Sequence, residues 1–148
     1  MITYQEEKFG DFLEEMRPIL EDHYDELSVS KQFPLNPRYD QYLVLQEQGY
    51  LCCITARDEG KLVGYILYLM VRHLHYNDCL TAQDDVYFVQ KEYRKGRVGL
   101  RLFQNGEKYL KKLGVNRIIL TCKLHLDHSR LFEFMGYRNI EKVYDKIL

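Results

Sequence analysis

The sequence predicts a mixed α/β (α+β) domain on one central mixed β-sheet, with antiparallel N-terminal strands, a crossover near the C-terminal end and about four helices. Three observations predict it. Apolar residues keep a 3.6-residue period over the first third of the chain and again after Val98. The middle third switches to runs rich in β-branched and aromatic residues, which suit a pleated, half-buried surface. A helical stretch between two strand-like runs then demands a crossover connection. The 148 residues hold no repeat, low-complexity tract or linker, so they form one domain spanning 1–148.

In chain order, Thr3–Glu6 reads as a short first strand. Phe9, Phe12, Leu13, Met16, Ile19, Leu20, Tyr24 and Leu27 then keep helical spacing, and Pro18 inside that run predicts a kink or two helical pieces. "SVSKQFPLNP" is a loop bracketed by Pro34 and Pro37, and "RYDQYLVLQEQG" is a second helix stopped by Gly49. "YLCCITARD" and "KLVGYILYLMVRHL" are strands joined by a hairpin turn at Glu59 and Gly60, and "CLTAQDDVYFVQ" is a third. Val98, Leu102, Phe103, Leu110 and Leu113 line an amphipathic helix ended by Gly114. "NRIILTC" is a further strand, "SRLFEFMG" a short helix and "NIEKVYDKIL" a last strand.

Composition excludes several classes of function. A formal net charge of −1 gives no global pull toward nucleic acid or anionic lipid. No apolar run approaches the roughly 18 residues of a membrane span, and "MITYQEEKFGDF" carries acids where a secretion signal carries bases. Cys52, Cys53, Cys79 and Cys122 lack metal-ligand spacing and lie in apolar surroundings, so they read as reduced core residues of a cytoplasmic protein. His73 with His75 and His125 with His128 have pairwise spacing but no third ligand, so no metal is expected.

One stretch concentrates chemistry. "VQKEYRKGRVGLRLFQ" sets Lys91, Arg94, Lys95, Arg97 and Arg101 around Gly96 and Gly99, where a strand ends near Val89 and a helix starts near Val98. The first turn of a helix presents amides without intrahelical partners, and the macrodipole adds positive charge there. Such an end suits a phosphate or pyrophosphate. The glycines let ligand and backbone approach and permit left-handed dihedrals. The other readings are a helix entry carrying solvated basic residues, and a nucleic-acid patch. The bases gather at one turn rather than spreading over a surface with stacking partners, which opposes the latter.

An apolar strand followed by "EYRKGRVGLRLF", "LGVNRIILTC" and "RLFEFMGYRNIEKVYDKIL" resembles the GNAT superfamily of N-acetyltransferases over most of the chain. That family's loop reads Arg or Gln, two residues, Gly, one residue, then Gly or Ala. Aligned on Gly99, Arg94 fills the first position, while Arg97 stands at the middle glycine and Gly96 falls one place early. The resemblance implies acetyl-CoA as co-substrate, with its diphosphate on the segment Arg94, Lys95, Gly96, Arg97, Val98 and Gly99. Arg97 is expected to face the adenosine 3′-phosphate. The strand ending at Phe88 and Val89 is expected to splay from its neighbour and admit the pantetheine arm. An N–H near Val89 would then polarise the thioester carbonyl. His125 occupies the place of a family asparagine near that arm.

The resemblance also implies a catalytic carboxylate on the strand before the loop. Strand alternation sends Asp84 and Asp85 to opposite faces, with Asp85 beside Tyr87 and Val89, and Asp85 is the candidate base, directly or through water. The bland reading is that one or both aspartates solvate a strand end. The family's tyrosine acid, four residues before the closing glycine, is here Phe132, which donates no proton. Tyr137 is the candidate replacement, with Tyr144 and His128 as others. The expected function is acetyl transfer to a primary amine by direct attack in a ternary complex. The acceptor is a small molecule or a peptide, against "SVSKQFPLNP" and the hairpin, and a homodimer is compatible. Phe132 favours a different reading, a non-catalytic acyl-CoA-binding or protein-interaction module of the same fold.

Overall fold

A computed structural model describes residues 1–29 and 31–148, so Ser30 of the expected loop lies outside the described residues. Five strands and four α-helices follow one another as β1 (Ile2–Glu6), α1 (Phe9–Leu27), α2 (Tyr39–Glu47), β2 (Leu51–Asp58), β3 (Lys61–His73), β4 (Tyr76–Val89), α3 (Val98–Lys112), β5 (Arg117–Ile119) and α4 (Ser129–Phe134). The strands lie side by side in sequence order in a single sheet. β1 to β4 pair antiparallel, and β5 returns parallel to β4 after the α3 crossover. Glu59 and Gly60, at φ of 48° and 89°, form the expected turn, since a tight hairpin needs positive φ at both central residues.

The sheet is covered on both faces. On one, Phe9, Phe12, Leu13, Met16 and Ile19 of α1 bury against Leu51, Cys53, Tyr65, Leu67 and Phe88. On the other, Val98, Leu102, Phe103 and Leu110 of α3, with Phe132 of α4, pack on Cys52, Ile54, Ile66, Tyr68 and Ala82. The alternation of β2 and β3 divides neighbours such as Cys52 and Cys53 between the two cores. α3 comes so near the sheet that a Cβ on Gly106 would meet the Tyr68 hydroxyl at 2.6 Å.

α1 runs unbroken through Pro18, so of the expected kink or two helical pieces the second does not occur. Proline removes one helical hydrogen bond, but Met16 and Ile19 on either side of it are both buried in the same core. The packing of that stripe outweighs the lost bond. The expected strand over 139–148 is absent; these residues form no regular element and are exposed. Ile140, Val143, Tyr144, Ile147 and Leu148 are spaced by threes and fours, which gives no period-2 face to lay on a sheet. "NRIILTC" contributes only the three residues of β5, so Cys122 is half-buried beyond the strand. No described helix is long and apolar enough to cross a membrane.

Candidate active site

β4 and β5 share backbone pairing only from Thr81–Arg117 to Gln83–Ile119. β4 then continues six residues to Val89 without that neighbour. Side chains span the divergence. The Asp84 carboxylate accepts from the Thr121 N–H (2.7 Å) and hydroxyl (2.9 Å). The Tyr87 hydroxyl donates to the Thr121 carbonyl (2.9 Å) and lies 3.2 Å from His128 Nδ1. Backbone direction along β4 follows from one bond: Gln90 N–H donates to Val63 O of β3 at 2.9 Å. Alternation in an antiparallel ladder turns Phe88 the same way and leaves the backbone groups of Tyr87 and Val89 facing the opening.

A single 3₁₀ turn, Lys91–Tyr93, follows, and α3 starts at Val98 with Arg97 as its N-cap. A Cβ added to Gly96 or to Gly99 would have nothing within 4 Å, so space is open before these amides. Neither glycine has a positive φ. The expected left-handed geometry is therefore absent, and no protein neighbour demands glycine at either position. Lys95 and Arg97 are exposed, and among the described residues neither pairs with a carboxylate. Arg94 is committed elsewhere. Its guanidinium forks onto Glu26 of α1 (2.6 and 2.9 Å), donates through Nε to Val89 O (2.7 Å) and lies 5.0 Å from the centre of the Phe88 ring. The Arg94 hydrogen bonds hold the Glu26 carboxyl below its ordinary range. His125 Nε2 contacts the same residue's carbonyl at 3.1 Å, so α1 ties the loop before α3 to the loop before α4.

Asp85 does not share a face with Tyr87 and Val89. Tyr68 pairs with Asp84 and Leu67 with Val86, so Asp85 is an extra, bulged residue. A bulge leaves its residue out of the ladder and re-aims it. Asp85 thereby turns to the α1–α2 side, where Tyr42 donates to it at 2.6 Å. Burial, and then this bond, push the Tyr42 hydroxyl up. The pair borders a cavity of about 400 Å³ whose walls include Met16, Leu20, Tyr24, Phe33 and Val86. Asp84 stays buried on the other side, and burial raises its carboxyl to about 6 against the bonds from Thr121.

Phe132 is buried, its ring edge-on to Tyr87 (6.3 Å) and Phe103 (5.4 Å). Tyr137 lies between α3 and β5, among Glu107, Lys111 and Ile118. Burial, and then a hydrogen bond to Glu107, push its hydroxyl up. Tyr144 is 87% exposed in the irregular C-terminal stretch. His128, the N-cap of α4, is shifted down by burial and then by Arg94. The ring centres of His73 and His75 lie 5.6 Å apart, and the described residues contain no group of three side chains fit for a metal ion. Burial pushes the Cys52 thiol up to about 12, as befits an inert core residue.

The site thus brings together Val89, Lys95, Gly96, Arg97, Val98 and Gly99, whereas Phe88 pairs with β3 and buries its ring in the α1 core, and Asp85 lies on the opposite side of β4. Sequence reasoning passed over Glu26, the Tyr42 partner of Asp85, and Tyr87 beside His128. Tyr87 was within reach, standing one alternation before Val89; the partners of Asp85 and Arg94 lie 43 and 68 residues away, beyond any local pattern.

The model of the acetyltransferase (GNAT) family matches residues 13–137. No curated protein sequence matches significantly. Among solved structures, a transcriptional regulator from Bacillus halodurans C-125 is 21% identical with a TM-score of 0.79, each chain covered over 100% of its length. A ribosomal-protein-alanine N-acetyltransferase from Brucella melitensis biovar Abortus 2308 is 15% identical with a TM-score of 0.73, covering 100% of this chain and 99% of that one. A predicted acetyltransferase from Clostridium acetobutylicum, solved with acetyl-CoA, is 10% identical with a TM-score of 0.72, covering 99% and 96%. At these identities the structures speak for the fold, while the family model spans most of the sequence: the chain belongs to the GNAT family of acetyltransferases.

Proposed function

We propose that this chain moves the acetyl group of acetyl-CoA to a primary amine by direct attack in a ternary complex. The observation that carries the reading is the unpaired end of β4 opening beside the cleared N-terminus of α3. The free amides from Gly96 to Gly99 bind the diphosphate, with Lys95 and Arg97 adding charge and Arg97 nearest the 3′-phosphate. Arg94 acts by holding the loop onto Glu26 and Val89 rather than as a free cation. His125 sits in the loop flanking the pantetheine arm. The Val89 N–H, turned into the opening, donates to the thioester oxygen as negative charge builds on it.

Asp85 takes the proton of the ammonium, directly or through one water. The freed amine attacks the carbonyl carbon, the carbon–sulfur bond breaks as coenzyme A leaves as thiolate, and the nitrogen releases its second proton to solvent to leave a neutral amide. An acid best serves a thiolate of pKa about 8.5 when its own pKa is near that value. The hydroxyls of Tyr137 and Tyr87 are both pushed well above it, burial being the main cause. The thiolate therefore leaves with little help from either and takes its proton from solvent.

Thiol release from acetyl-CoA with an amine panel tests the reading, and release that depends on amine is the expected result. Tyr137→Phe and Tyr87→Phe are each expected to keep kcat within about tenfold, below the roughly 10²–10⁴-fold typical of a working general acid. A larger loss in either variant would restore that tyrosine as the acid. Binding of coenzyme A without amine-dependent release would favour the non-catalytic module.

A further inference from the structure

We propose, resting on the acetyltransferase reading above, that the acceptor is a small monoamine carrying one apolar or aromatic body. The cavity beside Asp85 measures about 400 Å³. That is near the lower end of small-molecule sites, roughly 300–1,000 Å³, and it suits one ring or branched chain better than a stretch of polypeptide. Its walls come from α1, the 33–37 loop, α2, β3 and β4, and among the described residues they include no lysine, arginine or histidine.

Two of the polar groups on these walls, the hydroxyls of Tyr24 and Tyr42, are committed, while the Asn36 amide and the Tyr39 hydroxyl form no hydrogen bond among the described residues. Tyr24 donates its hydroxyl proton to the Phe33 carbonyl at 2.6 Å, which fastens the loop over α1. Tyr42 donates to Asp85. Among the described residues Asp85 is the one acidic side chain lining the cavity, and it retains acceptor positions beyond the one that Tyr42 occupies. A single carboxylate at the polar end of an apolar pocket complements a single ammonium on an apolar group. The exposed ring of Phe33 also suits a ring or an ammonium methylene, whereas the Tyr39 ring already carries the Arg17 guanidinium 4.9 Å from its centre.

The same inventory selects against other acceptors. A free amino acid brings a carboxylate that finds no cation on these walls. A polyamine brings a second ammonium with no second acidic side chain on the described walls, and an aminoglycoside brings more hydroxyls than Asn36, Tyr39 and Asp85 can pair. Asp85 stands two residues before Tyr87, about 7 Å along the strand from the opened backbone edge. An amine on Asp85 thus lies within a short reach of a carbonyl held at the opening.

The test is thiol release at saturating acetyl-CoA with 2-phenylethylamine, phenylalanine, spermidine, an aminoglycoside and a short peptide with an apolar N-terminal residue. The expected result is a kcat/KM for 2-phenylethylamine at least tenfold above every other acceptor, with Phe33→Ser raising its KM several-fold. Ligand-observed NMR without acetyl-CoA should show 2-phenylethylamine bound to the native chain and released by Asp85→Asn. Preference for spermidine, the aminoglycoside, phenylalanine or the peptide would overturn the inference while leaving the transferase intact. A native mass spectrum with no acetyl-CoA bound at saturation would instead overturn the reading beneath it, and the inference with it.

Discussion

Asp84 and Asp85 are chemically identical neighbours, yet one bulged residue gives them different work. Asp84 is buried and spent on Thr121, where it marks the end of backbone pairing with β5; Asp85 is exposed to the cavity and held by Tyr42. Asp85→Asn keeps the hydrogen bond from Tyr42 but removes the proton acceptor. It is expected to lower kcat about 10²-fold with the KM for acetyl-CoA unchanged, a loss recovered as pH rises toward the pKa of the amine. Asp84→Asn should leave kcat within a few-fold. Steady-state kinetics of both variants from pH 6 to 10 check the division. The sequence offered both aspartates and singled out Asp85, but not the direction in which it points. Alternation is a local rule, and the bulge that breaks it is fixed by how β3 and β4 register over their whole length.

At the scale of elements, the end of α1 is joined to both loops that flank the opening, through Glu26 to Arg94 and to His125. The charge of Arg94 is therefore answered before any phosphate arrives. Glu26→Gln releases that charge next to the diphosphate site. Coenzyme A is expected to bind the variant about two- to fivefold more tightly at low salt, and the gain should fade above the ionic strength that screens exposed charges. Calorimetric titration at 20 and 300 mM salt would show it; equal or weaker binding at low salt would mean that Arg94 must be held on Glu26 for the loop to bind at all. The elements themselves were largely legible. The 3.6-residue period marked α1 and α3, runs of β-branched and aromatic residues marked β2, β3 and β4, and Gly114, at φ 81°, ended α3 as expected. The C-terminal stretch was misread because strand-forming residue types were weighed without their spacing.

Across the whole molecule, three buried ionisable groups shape stability against pH. Asp84, raised to about 6, keeps a proton that the unfolded chain releases near its ordinary value, so its contribution falls as pH climbs from about 4 to 6. His23, lowered by burial to about 4, refuses a proton that the unfolded chain accepts below about 6.5, so its contribution grows over nearly the same window. Each is worth about 3 kcal/mol, and the slopes oppose each other. Burial pushes Glu7 up, but bonds from Arg57, Thr55 and Gln5 prevail and hold it at about 2, so its stabilisation is lost as pH drops below about 4.5. Urea unfolding is expected to show a nearly flat profile from pH 4.5 to 6.5 and a fall below. Asp84→Asn should expose a profile that rises over that range, and an unchanged shape would refute the compensation. None of this was readable from composition, because each shift depends on partners brought from distant parts of the chain. The fold and family were readable, because the glycine-bearing turn between strand and helix is contiguous in sequence. The claim beneath the functional account is that this turn grips the diphosphate of acetyl-CoA. Backbone amide NMR of the chain titrated with acetyl-CoA tests it most directly. The account predicts saturable shifts of Gly96, Val98 and Gly99 together with Val89; shifts confined to other parts of the chain, or none at saturation, would contradict it.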